Sequence, residues 1–382
     1  MKVAYVINSV EGGGAASPVP AVARVLSAHG AEVRILALTP RDGRGLPAME
    51  NAGLRVSVRA GGDRDHAAAL RWLDQQIARD PPDLIWTSLT RATLLGQVVG
   101  ARRRLPVVSW QHAAYLKPAN RVLLRATQRL SVLWVGDSES VTALTASRLG
   151  VGWDRLATWP LFAADPTAPR AGRWRPGDKL RLGSLGRLHP VKGYDILVAA
   201  LAYLRAQGFH PPTPFEVIIA GEGAQRDALQ AAAATAGLDV LRLIGFVDNP
   251  RRWLSGLHAY LQPSRSEGLC IAAHEAMQAG VPAIVSAVGE LPHSVVPGRT
   301  GWVVPPADPQ TLAAALKDLL SHPHRLADMG LAAHQRLFAR FGAEAFEAAG
   351  AAVLARASLS AAGRSASAPD RPRSRQASGP RA

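Results

Sequence analysis

In the stretch SRSEGLCIAAHEAMQAGVPAIVS, residues 264–286, Glu267 and Glu275 stand eight positions apart within an otherwise apolar, alanine-rich segment. A carboxylate in such surroundings is costly unless it meets partners. Positions eight apart differ by about 80° around a helix axis, so the pair divides, with Glu267 in a loop before a helix and Glu275 on the helix. The two then serve different ends of one ligand. Cations precede them: in LGSLGRLHPVKG, Arg187 follows Gly186 at a strand end and Lys192 comes five residues later at a helix start. Arginine can clamp phosphate oxygens with its fork and lysine adds a point charge. Two such cations at the carboxyl end of a strand in an open α/β sheet make an anion site; two solvated surface cations are the bland alternative.

Glycines punctuate the same kind of position elsewhere. VINSVEGGGAAS sets Gly12, Gly13 and Gly14 between a strand and a helix, where small residues admit a ligand to the backbone and a helix start offers free N–H groups. A tight turn with no ligand explains that stretch equally well, and it is not the strict dinucleotide fingerprint. IAGEGAQRDAL brings Gly221 and Gly223 to a strand end, and LIGFVDN brings Gly245, Phe246 and Val247 to another, with an apolar wall that suits a nucleobase. His112 closes the strand PVVSWQH; His274 and His293 lie nearer Glu275 and Gly289. An imidazole is also commonly just a satisfied polar group. No Asp-X-Asp motif precedes a plausible sugar site and no His/Cys/Asp cluster has metal-ligand spacing, so a metal is not implied.

These residues need elements to hold them. Short β-rich runs (KVAYVI, EVRILALT, DLIWTS, PVVSW, LWVGDS) alternate with longer helical stretches. After the proline- and glycine-rich segment around residues 161–178 the alternation restarts with LRLGSLGRL, FEVIIAG, VLRLIGF, AYLQPS and PAIVS. The pattern predicts an α/β chain of two doubly wound, Rossmann-like domains, residues 1–165 and 176–342. A helix at about 343–356 is expected to pack back on the first domain, and residues 357–382, rich in Ser, Ala, Pro and Arg, read as a disordered basic tail.

The length of 382 residues suits two domains. Cys270 is the only cysteine, which excludes an intrachain disulfide. The opening reads as a strand and not as a secretory signal, no apolar run reaches membrane-span length, and a cytoplasmic location is expected. Of the net charge of +15, the tail after Ala357 contributes five arginines against one aspartate. From Leu84 to Gly136 stand eight basic residues (Arg91, Arg102, Arg103, Arg104, Lys117, Arg121, Arg125, Arg129) and no acid. In NRVLLRATQRL, Arg121, Arg125 and Arg129 fall on one helical stripe beside Val122, Leu123 and Leu130. Docking of the first domain on anionic lipid at the inner membrane face is one reading, a solvated basic face the other. A nucleic-acid groove would need interleaved aromatics that are absent.

Taken together, GGG, QH, GRLHPVKG, AGEG, GFVDN, PSRSEGLCIAAHEAMQAGVPAIVS and GRTGWVVPPADP give a chain that resembles the GT4-family retaining glycosyltransferases of the GT-B fold, over residues 1 to about 356. The resemblance implies a nucleoside diphosphate sugar donor and an acceptor hydroxyl, in cell-surface polysaccharide, lipopolysaccharide or glycolipid synthesis. It implies that Glu267 accepts from donor-sugar hydroxyls, Glu275 from the ribose, and His112 from the sugar near the reacting centre. The N–H groups of Gly268, Leu269 and Cys270 would meet the diphosphate, Arg187 and Lys192 would neutralise it as it departs without need of a metal or other cofactor, and Gly245 to Val247 would lie against the base. Departures stand at the interdomain crossing, where WPLFAAD leaves only Asp165 of the usual motif, and at VGELPHS, where Glu290 and His293 replace the expected glycine and glutamate. A non-catalytic nucleotide-sugar-binding subunit is the alternative. A nicotinamide oxidoreductase would leave Arg187, Lys192, Glu267 and Glu275 unexplained.

Overall fold

The computed structural model describes residues 1–112 and 116–366. Two parallel sheets carry the chain. The first contains β1 (Lys2–Ser9), β2 (Glu32–Thr39), β3 (Arg55–Val58), β4 (Leu84–Ser88), β5 (Val107–Gln111), β6 (Leu133–Gly136) and β7 (Leu156–Thr158), in the order β3-β2-β1-β4-β5-β6-β7. The second contains β8 (Leu180–Leu185), β9 (Phe215–Ala220), β10 (Leu241–Gly245), β11 (Ala259–Gln262), β12 (Ala283–Ser286) and β13 (Gly301–Val304), in the order β10-β9-β8-β11-β12-β13. Tyr5 pairs with Ile35 on one side and Trp86 on the other, so β1 is central and its apolar run is buried on both faces. Strand order reverses beside β1 and again beside β8, and each reversal opens a crevice at the strands' carboxyl ends.

A tryptophan cluster anchors the first sheet. Trp110 and Trp159 stack with centroids 4.9 Å apart, and Trp86 meets them edge-on at 5.7 and 6.0 Å. The last helix, Ala343–Ala366, closes over this cluster through Phe346, 5.3 Å from Trp159, and through Gly350, where any Cβ would collide with the indole. This helix corrects the sequence-based boundary at residue 357. Ala357 is fully buried, Ser358 donates to the Leu354 carbonyl, and the alanine-rich composition taken for a structureless tail instead has the highest helix propensity. Residues 367–382 lie outside the described residues.

The crossing between the sheets is packed and not a free linker. Leu161, Phe162 and Ala164 are buried, and the Ala164 N–H donates to the Phe341 carbonyl at 2.7 Å. The acid-free sequence from Leu84 to Gly136 is also partly neutralised in space. Arg91 pairs with Asp65 at 2.9 Å, while Arg103 clamps Asp74 at 2.6 and 2.8 Å. The helix Pro118–Thr127 buries Leu124 and exposes Val122 and Leu123 at 64% and 50%. It ends before Arg129, which sits in a 3-10 turn, so the expected three-arginine stripe shortens to Arg121 and Arg125. Among the described residues no helix is long and apolar enough to cross a membrane.

Candidate active site

The loops that leave β8 and β11 flank the second crevice, and they hold each other closely. Gly193, at φ +66°, lies so near the Pro263 carbonyl that a side chain there would collide with it. This contact delivers Lys192, in the 3-10 turn Pro190–Lys192, to Glu267, with Nζ 2.8 Å from Oε1. Gln262 Nε2 and Ser264 Oγ donate to the same oxygen at 3.0 and 2.6 Å. Burial works against the Lys192 charge, yet the Glu267 carboxylate outweighs it and holds the ammonium above its ordinary value. Arg187 is exposed at the end of β8 and makes no ion pair among the described residues. Gly186 lies beneath Gly221, and Gly223 beneath the Leu188 carbonyl; in both places only a missing Cβ lets the backbones approach.

Glu275 rides the helix Ile271–Gln278, nearly buried, and burial raises its carboxyl above the usual range. Arg251 counters this from 3.5 Å and reaches Asp165 at 2.8 Å, so the crossing segment is tied to the helix that carries Glu275. Cys270 precedes that helix at φ +65°, a left-handed conformation that costs a non-glycine residue about 1 kcal/mol. Burial pushes its thiol up to about 12, which keeps it protonated.

Of the turn Gly268–Cys270, one N–H group, that of Leu269, is turned to the first domain. Gly268 packs under the His112 carbonyl, and the Leu269 N–H faces the Asp137 carboxyl of the first domain. The open donors of the helix start belong to Ile271 and Ala272, which have no partner among the described residues. Gly13 and Gly14 also differ from expectation, since the helix after them begins only at Val19, five residues beyond Gly14. Gly14 instead faces Ile271 at 3.5 Å, measured to a notional Cβ, which places the first glycine turn opposite the second domain's helix start. Gly245 accepts from the Gly221 N–H at 2.7 Å; Val247 is half-buried, and Phe246 carries the Arg44 guanidinium 3.9 Å from its ring centroid.

His112 is buried beyond β5, and its Nε2 lies 2.7 Å from Ser88 Oγ. Burial pushes the imidazole down to about 3, so the ring is neutral. Its Nδ1 stands 4.0 Å from Asp137 Oδ2 and has no hydrogen-bond partner among the described residues. Asp137, Ser88, Arg44 and Arg251 contact the candidate site residues and were missed by sequence reasoning. The one available signal was GDSES, which places an acid at a strand end beside a capping serine. His274 is held between the Cys270 carbonyl at 3.0 Å and Ser294 Oγ at 2.9 Å, and His293 meets Arg336 and Arg340 through its backbone carbonyl.

Two facing doubly wound sheets whose reversal-point loops meet across one cleft define the GT-B architecture. Comparison with known proteins agrees. A profile of the family "Glycosyl transferases group 1" matches residues 170–336. D-inositol 3-phosphate glycosyltransferase 2 of Catenulispora acidiphila is 31% identical over 306 residues, 72% of this chain and 70% of that protein. The GDP-mannose-dependent alpha-(1-6)-phosphatidylinositol monomannoside mannosyltransferase of Mycolicibacterium smegmatis is 34% identical over 195 residues, 48% of each chain. Among solved structures, Anabaena HepE in complex with UDP-glucose superposes with a TM-score of 0.79 at 19% identity, covering 93% of this chain and 99% of that one. The chain belongs to the group 1 glycosyltransferases, and it is an enzyme of that family.

Proposed function

We propose that this glycosyltransferase moves a sugar from a nucleoside diphosphate donor to an acceptor hydroxyl with retention at the anomeric carbon, in the manner of GT4 enzymes. The observation that carries the reading is the meeting of Arg187, Lys192 and the open N–H groups of Ile271 and Ala272 at one reversal point, because all of them favour negative charge. Glu275, on the same helix, suits the ribose hydroxyls, and Glu267 Oε2 suits a sugar hydroxyl. Arg187 and Lys192 stabilise the diphosphate as it leaves, and with these cations in place no metal is required. His112, neutral and open at Nδ1, can accept from the sugar without adding charge.

The acceptor in this reading is a lipid-linked glycan of cell-surface polysaccharide, lipopolysaccharide or glycolipid synthesis, met at the inner membrane face. Support comes from the basic first domain, with exposed Val122 and Leu123 between Lys117, Arg121 and Arg125. The relatives named for phosphatidylinositol-linked and inositol acceptors are compatible with it.

A panel of nucleotide sugars incubated with the purified chain and EDTA should give slow donor hydrolysis or transfer with one donor. Glu275→Ala and Arg187→Ala should each lose about 2 to 4 kcal/mol of transition-state stabilisation, roughly thirtyfold to a thousandfold in turnover, while melting normally. Undiminished turnover in either folded variant removes the site, and a strict Mg²⁺ requirement removes the metal-free mechanism.

A further inference from the structure

Three buried polar atoms from two domains lie in one place without hydrogen-bond partners among the described residues. They are His112 Nδ1, Asp137 Oδ1 and Glu290 Oε2. Their side chains are almost entirely enclosed: Asp137 and Glu290 are each 3% exposed, and the His112 side chain 7%. They are brought together by the Gly268 turn. The Gly268 backbone lies under the His112 carbonyl and 3.1 Å, from a notional Cβ, from Asp137 Oδ2, and its own carbonyl accepts the Glu290 N–H at 3.0 Å. Ser140, one helical turn after Asp137, donates to the Gly289 carbonyl at 3.0 Å and fixes the same seam.

A buried polar atom left unpaired is expensive, native structures keep only a few per hundred residues, and each calls for an explanation. Three at one junction, on the loops next to the Lys192–Glu267 pair, point to a ligand that completes them. Packing alone has no use for them, since an Asn, Ser or apolar residue would fill the same volume at lower cost. The charges decide what that ligand is. Arg340 neutralises Glu290 through Oε1 at 2.7 Å, and Ser138 and the Leu269 N–H are the groups turned to Asp137. Among the described residues no cation pairs with the open oxygens. The open atoms therefore suit the hydroxyls of a neutral group, and a buried carboxylate or phosphate would find no counter-charge beside them.

Resting on the nucleotide-sugar reading, we infer that Asp137 and Glu290, with His112 Nδ1 between the domains, form a sugar-selecting pair that takes the hydroxyls of a neutral hexosyl group and rejects a uronic acid. Glu290 stands where the family resemblance leads one to expect glycine, so this pair belongs to this chain and is not carried over from the family motif. The nucleotide end of the ligand lies on other residues, which separates the two claims experimentally.

The test is calorimetric titration of the full chain with UDP and GDP, then with UDP-glucose, GDP-mannose and UDP-glucuronate. At least one neutral sugar nucleotide should bind tighter than its parent nucleotide, and UDP-glucuronate at least tenfold weaker than UDP-glucose. Asp137→Asn should shrink the preference for the sugar nucleotide over the bare nucleotide by about tenfold, as expected for one lost hydrogen bond in a buried site, with affinity for the bare nucleotide unchanged. Glu290→Gln should do the same, and if it fails to fold Asp137→Asn still decides. Equal binding of glucuronate, or variants that weaken bare nucleotide and sugar nucleotide alike, would overturn the sugar-selecting pair and leave the nucleotide site standing. Absence of binding by either bare nucleotide overturns the nucleotide-sugar reading, and the pair with it.

Discussion

Buried ionisable side chains at the domain seam make stability depend on pH in opposite directions. His112 and His274 are pushed down to about 3 and about 4 by burial, from an ordinary value near 6.5. They are neutral in the fold, so the unfolded chain binds more protons below pH 6.5. Their contribution is complete above that value and is lost as pH falls toward 4, at roughly 1.4 kcal/mol per unit for each ring. His274→Gln should remove one ring's share of that slope in chemical denaturation between pH 6.5 and 4. Asp137 runs the other way: burial holds its carboxyl well above the ordinary range, so its favourable contribution exists at low pH and is lost as pH rises above about 3.8. Asp137→Asn should therefore melt higher than the parent at pH 7, with the difference vanishing below pH 4. A lower melting temperature at pH 7 would show that the carboxylate is stabilised by something other than the groups described.

At the scale of elements, the site depends on how closely two strand-to-helix loops approach. Lys192 reaches Glu267 because Gly193 fits against the Pro263 carbonyl in a left-handed conformation. Gly193→Ala adds both a collision and an unfavourable backbone angle, and should cost about 3 kcal/mol or more. Because the loop must move, Lys192 should separate from Glu267 and transfer should fall more than stability does. Wild-type unfolding and turnover in Gly193→Ala would mean that the two loops are not held together as described. The glycines of this site were legible in the sequence, and so was the split of Glu267 into a loop and Glu275 onto a helix. The particular close approaches were not, because they join residues about seventy positions apart and no local propensity records them.

For the whole molecule, the first domain presents Lys117, Arg121 and Arg125 around exposed Val122 and Leu123, while Trp153 is 67% exposed on the turn after the adjoining helix. Anionic lipid attracts such a surface by roughly 1 kcal/mol per nearby cation. The full chain should float with phosphatidylcholine vesicles that contain phosphatidylglycerol and not with pure phosphatidylcholine. Binding should weaken as salt rises, and Arg121→Glu with Arg125→Glu should weaken it by at least about tenfold. If the parent chain ignores the anionic vesicles at low salt, a soluble acceptor replaces the lipid-linked one.

The sequence by itself determined the two-sheet plan, through apolar runs of strand length alternating with helical stretches, and it determined the types of the candidate site residues. Both signals are local: a strand or a helix start is specified by residues within a few positions of one another. Tertiary structure decided which charges meet. It placed Asp65 and Asp74 on arginines that look unopposed along the chain, turned the Leu269 N–H to Asp137, and packed the last helix on the tryptophan cluster through Phe346 and Gly350. It also brought Asp137 and Glu290 from different domains to one turn. Electrostatics and packing act through space, and the distance along the chain between such partners carries no trace of the distance between them in the fold.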